Sequence, residues 1–185
     1  MMKRFLTFCL TAACLLAAGC DREPEEDLIW DFATFSVGFY VCDAETDADL
    51  LDPASEGNIL GQPIAVVYAG TRYEVVPDES SDFAATTRAL MSKPLALRWM
   101  HSYTYVEEEG YMKKKYGPYR LDFGEWSPVS GWHGQEFTIE WGDGSSNTVR
   151  FDLYIEWKKK NDPNVLHPIW FDGERQNDWC ITLRK

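Results

Sequence analysis

The histidines, cysteines and carboxylates of this chain are the side chains that could catalyse a reaction or hold a metal ion. Its three histidines, His101, His133 and His167, form no H-E-x-x-H pair, and no C-x-x-C follows residue 20. This spacing predicts no metal site, because nothing in it brings several ligands together. The sequence also contains neither the G-x-S-x-G turn of serine hydrolases nor a P-loop. We therefore expect no catalytic residue, no metal and no cofactor.

The acidic segment Asp43–Asp52 has the density of carboxylates that a calcium loop requires. An EF-hand loop beginning at Asp43 would need glycine at its sixth position and glutamate at its twelfth, where Ala48 and Ala54 stand. Aspartate side chains also accept hydrogen bonds from nearby backbone N–H groups in turns. We expect a turn whose two apolar residues, Leu50 and Leu51, pack beneath a sheet.

Cys20 is the cysteine with the most specific chemistry. It follows a basic start and an apolar stretch, Phe5–Ala18, that is shorter than the roughly 20 residues of a spanning helix. The stretch leads into Leu16-Ala17-Ala18-Gly19-Cys20, which resembles the lipobox of bacterial lipoproteins, although Ala17 stands where leucine is commonest. The resemblance implies that residues 1–19 are a signal peptide. Cys20 would then carry the lipid on its sulfur and become the mature N-terminus.

Cys42 and Cys180 are the two other cysteines of the mature chain, and an oxidising export compartment would allow them to form a disulfide. Each lies on the face opposite the apolar set of its predicted strand. A bond therefore requires the first and last strands to be neighbours in one sheet, with Cα atoms about 4.4–6.8 Å apart.

The segment after Cys20 is an acidic tether, residues 20–31, in which Asp21–Asp27 holds five acidic residues and one basic residue. Such a segment has no apolar surface to bury and would hold the domain away from the membrane. It resembles the acidic patch that marks lipoproteins of Bacteroides-type bacteria for surface export, and a plain linker is the alternative.

Several short pieces of the mature chain resemble parts of uncharacterised small lipoproteins from Bacteroides-type gut bacteria. The pieces are Asp43-Ala44-Glu45-Thr46, Asp49-Leu50-Leu51-Asp52-Pro53, Gly57-Asn58-Ile59, Gly70-Thr71-Arg72-Tyr73 and Trp141-Gly142-Asp143-Gly144. The resemblance implies an envelope location and an all-β fold. It implies no activity and no site residue for this chain.

Net charge limits the partners of the mature protein. Without residues 1–19 the chain has 166 residues, with 16 basic against 30 acidic side chains, a net charge of −14. This charge repels nucleic acid and anionic lipid headgroups, so we expect no nucleic acid as a partner and attachment to the membrane only through the lipid.

Alternation of apolar and polar residues predicts the fold. Phe35, Val37, Phe39 and Val41 fall on one strand face. Ile64–Val76 predicts a hairpin with a type II′ turn at Gly70-Thr71 that opposes Val66 to Val75. The alternation over Phe137–Trp157 predicts a second hairpin, whose five-residue loop over 142–146 would place Phe137 opposite Phe151. Together with weaker strands, these predict one domain over 32–185, an antiparallel immunoglobulin-like β-sandwich of about eight or nine strands. A small β-barrel is the alternative.

The segment between Trp99 and Trp132 has more aromatic residues than alternating strands can bury. Exposed aromatic rings stack on sugars or anchor protein partners. Trp126 and Trp132 stand beside turn residues and outside the strong strands, so we expect them to be the ligand-binding residues. Glu107-Glu108-Glu109 and Lys113-Lys114-Lys115 flank Gly110 and predict a protruding, charged hairpin tip.

These observations favour a non-enzymatic lipoprotein of the outer membrane or cell surface that acts as a binding module, with glycans as a candidate ligand. A structural or adhesin-type lipoprotein that binds protein is one alternative. A small glycan hydrolase is another, because it needs only two carboxylates around the bond it cleaves. A linear row of exposed aromatic rings would favour glycans, a flat apolar patch would favour protein, and two converging carboxylates would favour the enzyme.

Overall fold

The structure is a computed structural model that describes residues 30–77, 95–108, 110–159 and 161–185. The chain divides into two compact units, Met1–Asp31 and Phe32–Lys185, and the description below concerns the second. Cys20 and nearly all of the acidic tether lie outside the described residues.

The described residues of the second unit form eleven β-strands. They are β1 (Phe35–Cys42), β2 (Ala65–Tyr68), β3 (Thr71–Pro77), β4 (Leu97–Glu108), β5 (Tyr111–Trp126), β6 (Trp132–Glu140), β7 (Ser146–Lys159), β8 (Asp162–Leu166), β9 (Ile169–Phe171), β10 (Glu174–Gln176) and β11 (Cys180–Arg184). A 3₁₀ turn, Pro128–Ser130, joins β5 to β6. The all-β fold predicted from alternation is confirmed.

The described strands belong to one sheet, in the order β10-β9-β7-β6-β2-β3-β4-β5-β1-β11, with β8 paired to β7 outside this path. The sheet curls into a nearly closed barrel, so the predicted barrel alternative describes it better than two separate layers. Two features differ from expectation: the strand count is eleven, and two pairs are parallel, β1 with β11 and β3 with β4. In the sequence, 19 residues (78–96) separate the end of β3 from the start of β4, and strands of a parallel pair need a connection of about a dozen residues or more.

The core fills the inside of the curled sheet. Val37, Phe39 and Val41 of β1 are buried, as their alternation predicted, and they share the core with apolar residues from β5, β6 and β7. Complete burial of such a side chain contributes about 1.5–3 kcal/mol. The core therefore stabilises the strands of the barrel, including those whose extensions beyond the barrel carry exposed side chains.

The β2–β3 hairpin is confirmed, but its turn lies one residue earlier than predicted. Tyr68 pairs with Thr71 and Val66 with Tyr73, which leaves Ala69 and Gly70 as the loop. Both loop residues have positive φ, +49° and +78°, as a type I′ turn requires. Moving the turn by one residue shifts the pairing by two, so each side chain stays on its predicted face.

The β6–β7 hairpin shows the same displacement. Glu140 pairs with Ser146 and Phe137 with Val149, rather than Phe137 with Phe151. The connecting loop still has an odd number of residues, so the apolar faces of both strands point to the core as predicted. Trp141, which opens this loop, is buried and donates its indole N–H to Asn147 Oδ1 at 2.6 Å.

Two ribbons extend from opposite ends of the barrel. We call the end where β1 begins the entry end and the other the far end. Beyond Trp99 and Leu121, β4 and β5 pair only with each other, and this β4–β5 ribbon (residues 102–108 and 110–117) projects past the far end. Beyond Leu153, β7 pairs only with β8, and this β7–β8 ribbon (residues 154–159 and 161–166) projects past the entry end.

The loop over residues 43–62 covers the core at the far end, where Leu50 and Leu51 are buried. Its aspartates act as turn residues. Asp43 Oδ1 accepts the backbone N–H groups of Glu45 and Thr46, at 3.0 and 2.7 Å, and Asp52 Oδ1 accepts that of Ala54 at 2.8 Å. The turn predicted for the acidic segment is therefore confirmed.

Candidate functional site: an aromatic row on the β4–β5 ribbon

The candidate site is a row of rings along one face of β4 and β5. In β4 the face is occupied by every second residue, and it begins at the buried Leu97. The cross-strand partners in β5 point the same way, as shown by Leu97 opposite Phe123 and Trp99 opposite Leu121. The row consists of Trp99, His101, Tyr103 and Tyr105 from β4 with Tyr116 and Tyr119 from β5.

The rings follow one another at short, regular distances. The indole of Trp99 stacks on Tyr119 with centroids 5.0 Å apart and planes 10° apart. His101 contacts Tyr119 at 3.7 Å and Tyr116 at 5.4 Å, and Tyr103 meets Tyr105 edge-on at 5.7 Å. The row therefore runs outward from the core face without changing sides of the sheet.

A register shift between His101 and Tyr103 keeps the row on a single face. His101 pairs with Tyr119, whereas Tyr103 pairs with Tyr116, so β5 has one extra residue at this point. Such a bulge bends the strand while its side chains resume alternation beyond it. Ser102 Oγ donates to Pro118 O at 2.8 Å across the irregularity.

Exposure increases along the row. Trp99 and Tyr119 pack partly buried against the core. Tyr116 and Tyr105, farther out, are 57% and 58% exposed. These values are high for tyrosine rings in a chain whose other large rings are mostly buried, so the outer row presents ring faces to an incoming molecule.

Polar groups accompany the rings. Lys114 Nζ lies 4.0 Å from the centroid of Tyr103 and 5.1 Å from that of Tyr116, within cation–π range of both. His101 Nδ1 lies 3.1 Å from Gly117 O. A carbonyl oxygen only accepts, so Nδ1 carries the proton and Nε2 of the neutral ring is an acceptor. The row thus combines flat apolar faces with a cation, an acceptor and phenol hydroxyls.

The base of the row is fixed to the loop that covers the far end. Trp99 Nε1 donates to Leu51 O at 2.9 Å, and Asp49 Oδ2 accepts the backbone N–H of Tyr119 at 2.8 Å. These bonds come from residues that are partly buried, where a missing partner is costly. The rings at the base are therefore held in place before any ligand arrives.

The opposite face of the ribbon has different chemistry. Its residues alternate with the row and include Thr104, Val106, Lys113 and Lys115. Lys113 pairs with Glu108 at 3.0 Å, an exposed ion pair. Tyr111 lies opposite Glu108 and is 74% exposed. It therefore offers a matched control for the tyrosines of the row.

The structure corrects the prediction for Trp126, which is 1% exposed and lies at the centre of the core. Its ring contacts Phe151 at 4.7 Å and Phe123 at 5.4 Å. The cause is a bulge: Phe35 pairs with Trp126 but Ser36 with Gly124, which leaves one residue extra in β5 and turns Trp126 inward. Trp126 is therefore a packing residue and not an exposed anchor.

Trp132, the second predicted ligand-binding residue, is half-buried at the entry end. It packs against the core and donates its indole N–H to Ser127 O at 3.0 Å. The structure does not bring Trp132 to the row, because the β4–β5 ribbon projects from the other end of the barrel.

The predicted disulfide is also corrected. The required condition holds, because β1 and β11 are neighbours. However, Cys180 pairs with Gly38 and Cys42 with Arg184, so the cysteines are four residues apart along the ladder, about 13 Å at a rise of about 3.3 Å per residue. Both thiols are free. Burial, as the largest contribution, raises the pKa of each thiol.

The sequence analysis did not predict a site role for His101, a member of the row, or for Lys114, which lies beside its rings. The signal was present in the alternation Trp99-His101-Tyr103-Tyr105, which is a strand with one aromatic face. The aromatic excess between Trp99 and Trp132 separates into core rings, half-buried rings and the exposed Tyr105, Tyr111 and Tyr116.

Within the described residues, no three His, Cys, Asp or Glu side chains gather as metal ligands would. No helix in that part of the chain is long and apolar enough to cross a bilayer. Fold and site together define a barrel-like all-β domain with an aromatic ribbon. Comparison with protein-family models, with curated proteins and with solved structures finds no match to this chain.

Proposed function

We propose that this protein is a lipoprotein, anchored through Cys20 at the outer membrane or cell surface, that binds glycans without cleaving them. The observation that carries the proposal is the row of rings along β4 and β5, whose outer members Tyr105 and Tyr116 are exposed, because a row of rings fits an extended chain of sugars. Each ring stacks on the apolar face of one sugar, and the polar groups between the rings bond its hydroxyls.

The geometry of the row supports glycan binding over simple packing. Tyr103, Tyr105 and Tyr116 lie beyond the last residues of β4 and β5 that pair with the barrel, so burying the core does not explain them. Lys114 and Nε2 of His101 lie among the rings and provide a donor and an acceptor, the combination that sugar hydroxyls need.

A protein-binding role is the second candidate, and the ribbon tip favours it. Tyr111 and Met112 are 74% and 65% exposed, and they extend the apolar surface at the outermost turn. Exposed aromatic and methionine side chains are typical anchors of protein interfaces. In this case the side chains at the ribbon tip, and not those of the aromatic row, would provide most of the affinity for the partner protein.

A glycan hydrolase has less support from the ribbon. Cleavage would need two carboxylates flanking the bound sugar. Among the described ribbon residues, the register places one acidic side chain, Glu107, on the face of the row, while Glu108 lies on the other face in an ion pair with Lys113. The row therefore provides stacking surface and not a pair of acids.

A glycan array probed with the purified protein tests the proposal, followed by titration calorimetry with the glycan that binds. Truncating a ring that anchors a ligand costs about 2 kcal/mol, close to thirtyfold in affinity. We expect a loss of this order for Tyr105→Ala and for Tyr116→Ala. The matched control is Tyr111→Ala, which removes a still more exposed tyrosine from the opposite face and should leave affinity within about threefold.

The outcomes separate the candidates. Equal losses of glycan affinity for Tyr105→Ala and Tyr111→Ala would place the glycan at the ribbon tip and contradict binding along the row. The absence of any glycan that binds would contradict the proposal, and release of shortened glycan products would support the hydrolase.

The lipid anchor is tested independently. Metabolic labelling with radioactive palmitate should mark the wild type but not Cys20→Ala. Equal labelling of the two proteins would exclude Cys20 as the lipidated residue.

A further inference from the structure

We propose that the aromatic row selects acidic glycans, whose sugars bear a carboxylate or a sulfate, and that Lys114 is the residue that recognises the acidic group. The inference rests on the proposed glycan binding and names the class of glycan. It follows from the surroundings of the Lys114 ammonium group, which lies among aromatic rings and has no carboxylate partner among the described residues.

Lys114 lies on the face of the row and is partly buried. Its neighbours in the chain, Lys113 and Lys115, are exposed on the opposite face. The Lys114 Nζ atom is 4.0 Å from the centroid of Tyr103 and 5.1 Å from that of Tyr116. The cation is therefore held where a sugar that stacks on either ring would meet it.

The ammonium group of Lys114 lacks the anion that completes a similar contact elsewhere in the barrel. Among the described residues, no carboxylate lies within 4.0 Å of it and no oxygen accepts a hydrogen bond from it. Lys185 is the other lysine that the structure describes over an aromatic ring. Its Nζ is 5.1 Å from the centroid of Trp141 and 2.7 Å from Asp143 Oδ2. A partly buried cation is stabilised by such a partner, which at Lys114 a ligand would have to provide.

A sugar acid fits this arrangement. A carboxylate or sulfate accepts hydrogen bonds from an ammonium group while the apolar face of its sugar stacks on a neighbouring ring. Tyr105 lies directly opposite Lys114, and the pair Tyr103 and Tyr116 lies two residues farther in, about 7 Å along the strand. One sugar can therefore stack on a ring of the row while its acidic group contacts Lys114.

Glu107 is the acidic residue that the register of the described ribbon places on the same face. It pairs with Met112, two residues farther out than the pair of Tyr105 and Lys114, and it forms no ion pair with Lys114. A carboxylate in this position repels an acidic group from the outer side of Lys114. We therefore expect the acidic group of the glycan on the inner side, toward Tyr116.

The net charge of the mature chain, −14, acts on an acidic glycan mainly at a distance. Asp49, in the acidic loop, is bonded to the backbone of Tyr119, and Lys114 lies five residues farther along β5, about 16 Å away. Charges farther apart than about 8 Å are largely screened at physiological ionic strength. The loop therefore slows the approach of an acidic glycan more than it weakens the contact with Lys114.

Titration calorimetry with matched pairs of oligosaccharides tests the inference. One pair is an oligosaccharide of uronic acids and its carboxyl-reduced form. The other is a sulfated oligosaccharide and its desulfated form, so that the two pairs identify the acidic group. We expect the acidic form of at least one pair to bind about tenfold more tightly than its neutral form. Lys114→Gln should remove this difference and change the affinity for the neutral form by less than about threefold.

Three further variants control for the charge. Lys115→Gln removes the same charge from the opposite face and should leave both affinities within about threefold. Lys114→Arg keeps a cation on the row and should retain the preference for the acidic form. Glu107→Gln should increase that preference. Thermal melting checks that each variant is folded.

The results separate this inference from the glycan binding on which it rests. Acidic and neutral forms that bind equally well, with affinity that Tyr105→Ala removes, overturn the selectivity and leave glycan binding standing. Equal losses for Lys114→Gln and Lys115→Gln overturn the role of Lys114, because the ribbon would then attract acids through its charge as a whole. Binding of neutral glycans alone on the array overturns the inference, and binding of no glycan overturns the inference and the proposed function together.

Discussion

Asp49 Oδ2 accepts the backbone N–H of Tyr119 at 2.8 Å, a bond between residues 70 positions apart in the chain. The other carboxylate oxygen of Asp49 accepts the N–H of Leu51 at 2.9 Å. One side chain therefore shapes the loop that covers the far end and also ties it to the strand where the aromatic row begins. The rings at the base of the row are therefore positioned in part by Asp49, which contacts none of the exposed rings.

Asp49→Ala should destabilise the domain by about 3 kcal/mol or more, because hydrogen bonds to a charged acceptor contribute about 1.5–3 kcal/mol each and two donors lose their partner. Urea unfolding followed by tryptophan fluorescence measures the change. Asp52→Ala is the control, since Asp52 accepts a single N–H within an exposed turn, and it should cost below about 1 kcal/mol. Equal losses would mean that the bond to Tyr119 contributes nothing.

The two hairpins show how far alternation predicts a sheet. It placed the apolar residues of β2, β3, β6 and β7 on the correct faces, because burial of one face selects that arrangement. It did not fix the register, which the turns decide. At β2–β3, positive φ at Ala69 and Gly70 selects a type I′ turn, one residue before the turn that Gly70-Thr71 suggested.

Trp126 shows where alternation fails. In a regular strand, Leu121 and Phe123 would be followed on the core face by residue 125, and Trp126 would point outward. Glu125 instead has a φ of +142° at a bulge, and the next side chain enters the core. A bulge depends on backbone geometry and long-range pairing, so the local sequence around Gly124 gave little indication of it.

Gly124→Ala should be among the most damaging substitutions in the domain. Gly124 has a φ of +121°, and a Cβ atom there would overlap the six-membered ring of Trp126. Backbone strain and overpacking in the core add to about 3 kcal/mol or more. Thermal and urea unfolding measure the loss.

Gly144→Ala controls for backbone strain alone. Gly144 also has a positive φ, +90°, but a Cβ atom there would meet open space. We expect a cost of about 1 kcal/mol. A similar cost at the two glycines would contradict the packing of Trp126 against Gly124.

Trp126→Ala should abolish the cooperative melt or lower stability by about 3–5 kcal/mol, as truncation of buried aromatic residues does. Trp170→Ala, on the outer side of the sheet beneath Arg150, should cost much less. Circular dichroism in the near ultraviolet and a thermal melt report both. A Trp126→Ala protein that melts like the wild type would place this ring outside the core.

The remaining prediction concerns Cys42 and Cys180. Peptides that contain them should have the mass of free thiols in protein handled without reductant, because the ladder holds the two cysteines about 13 Å apart.

Both cysteines should also react slowly with iodoacetamide near neutral pH. Burial raises the pKa of each thiol, with Asp47 and Asp49 adding to the effect at Cys42, so less of the reactive thiolate is present at a given pH than in an ordinary cysteine. The rate should rise as pH increases through the ordinary cysteine range and should still be rising above it. The same protein unfolded in urea is the control, in which both thiols should be alkylated at the rate of free cysteine. A disulfide-linked peptide pair would contradict the register between β1 and β11, and equal rates in the folded and unfolded protein would contradict the burial of the two thiols.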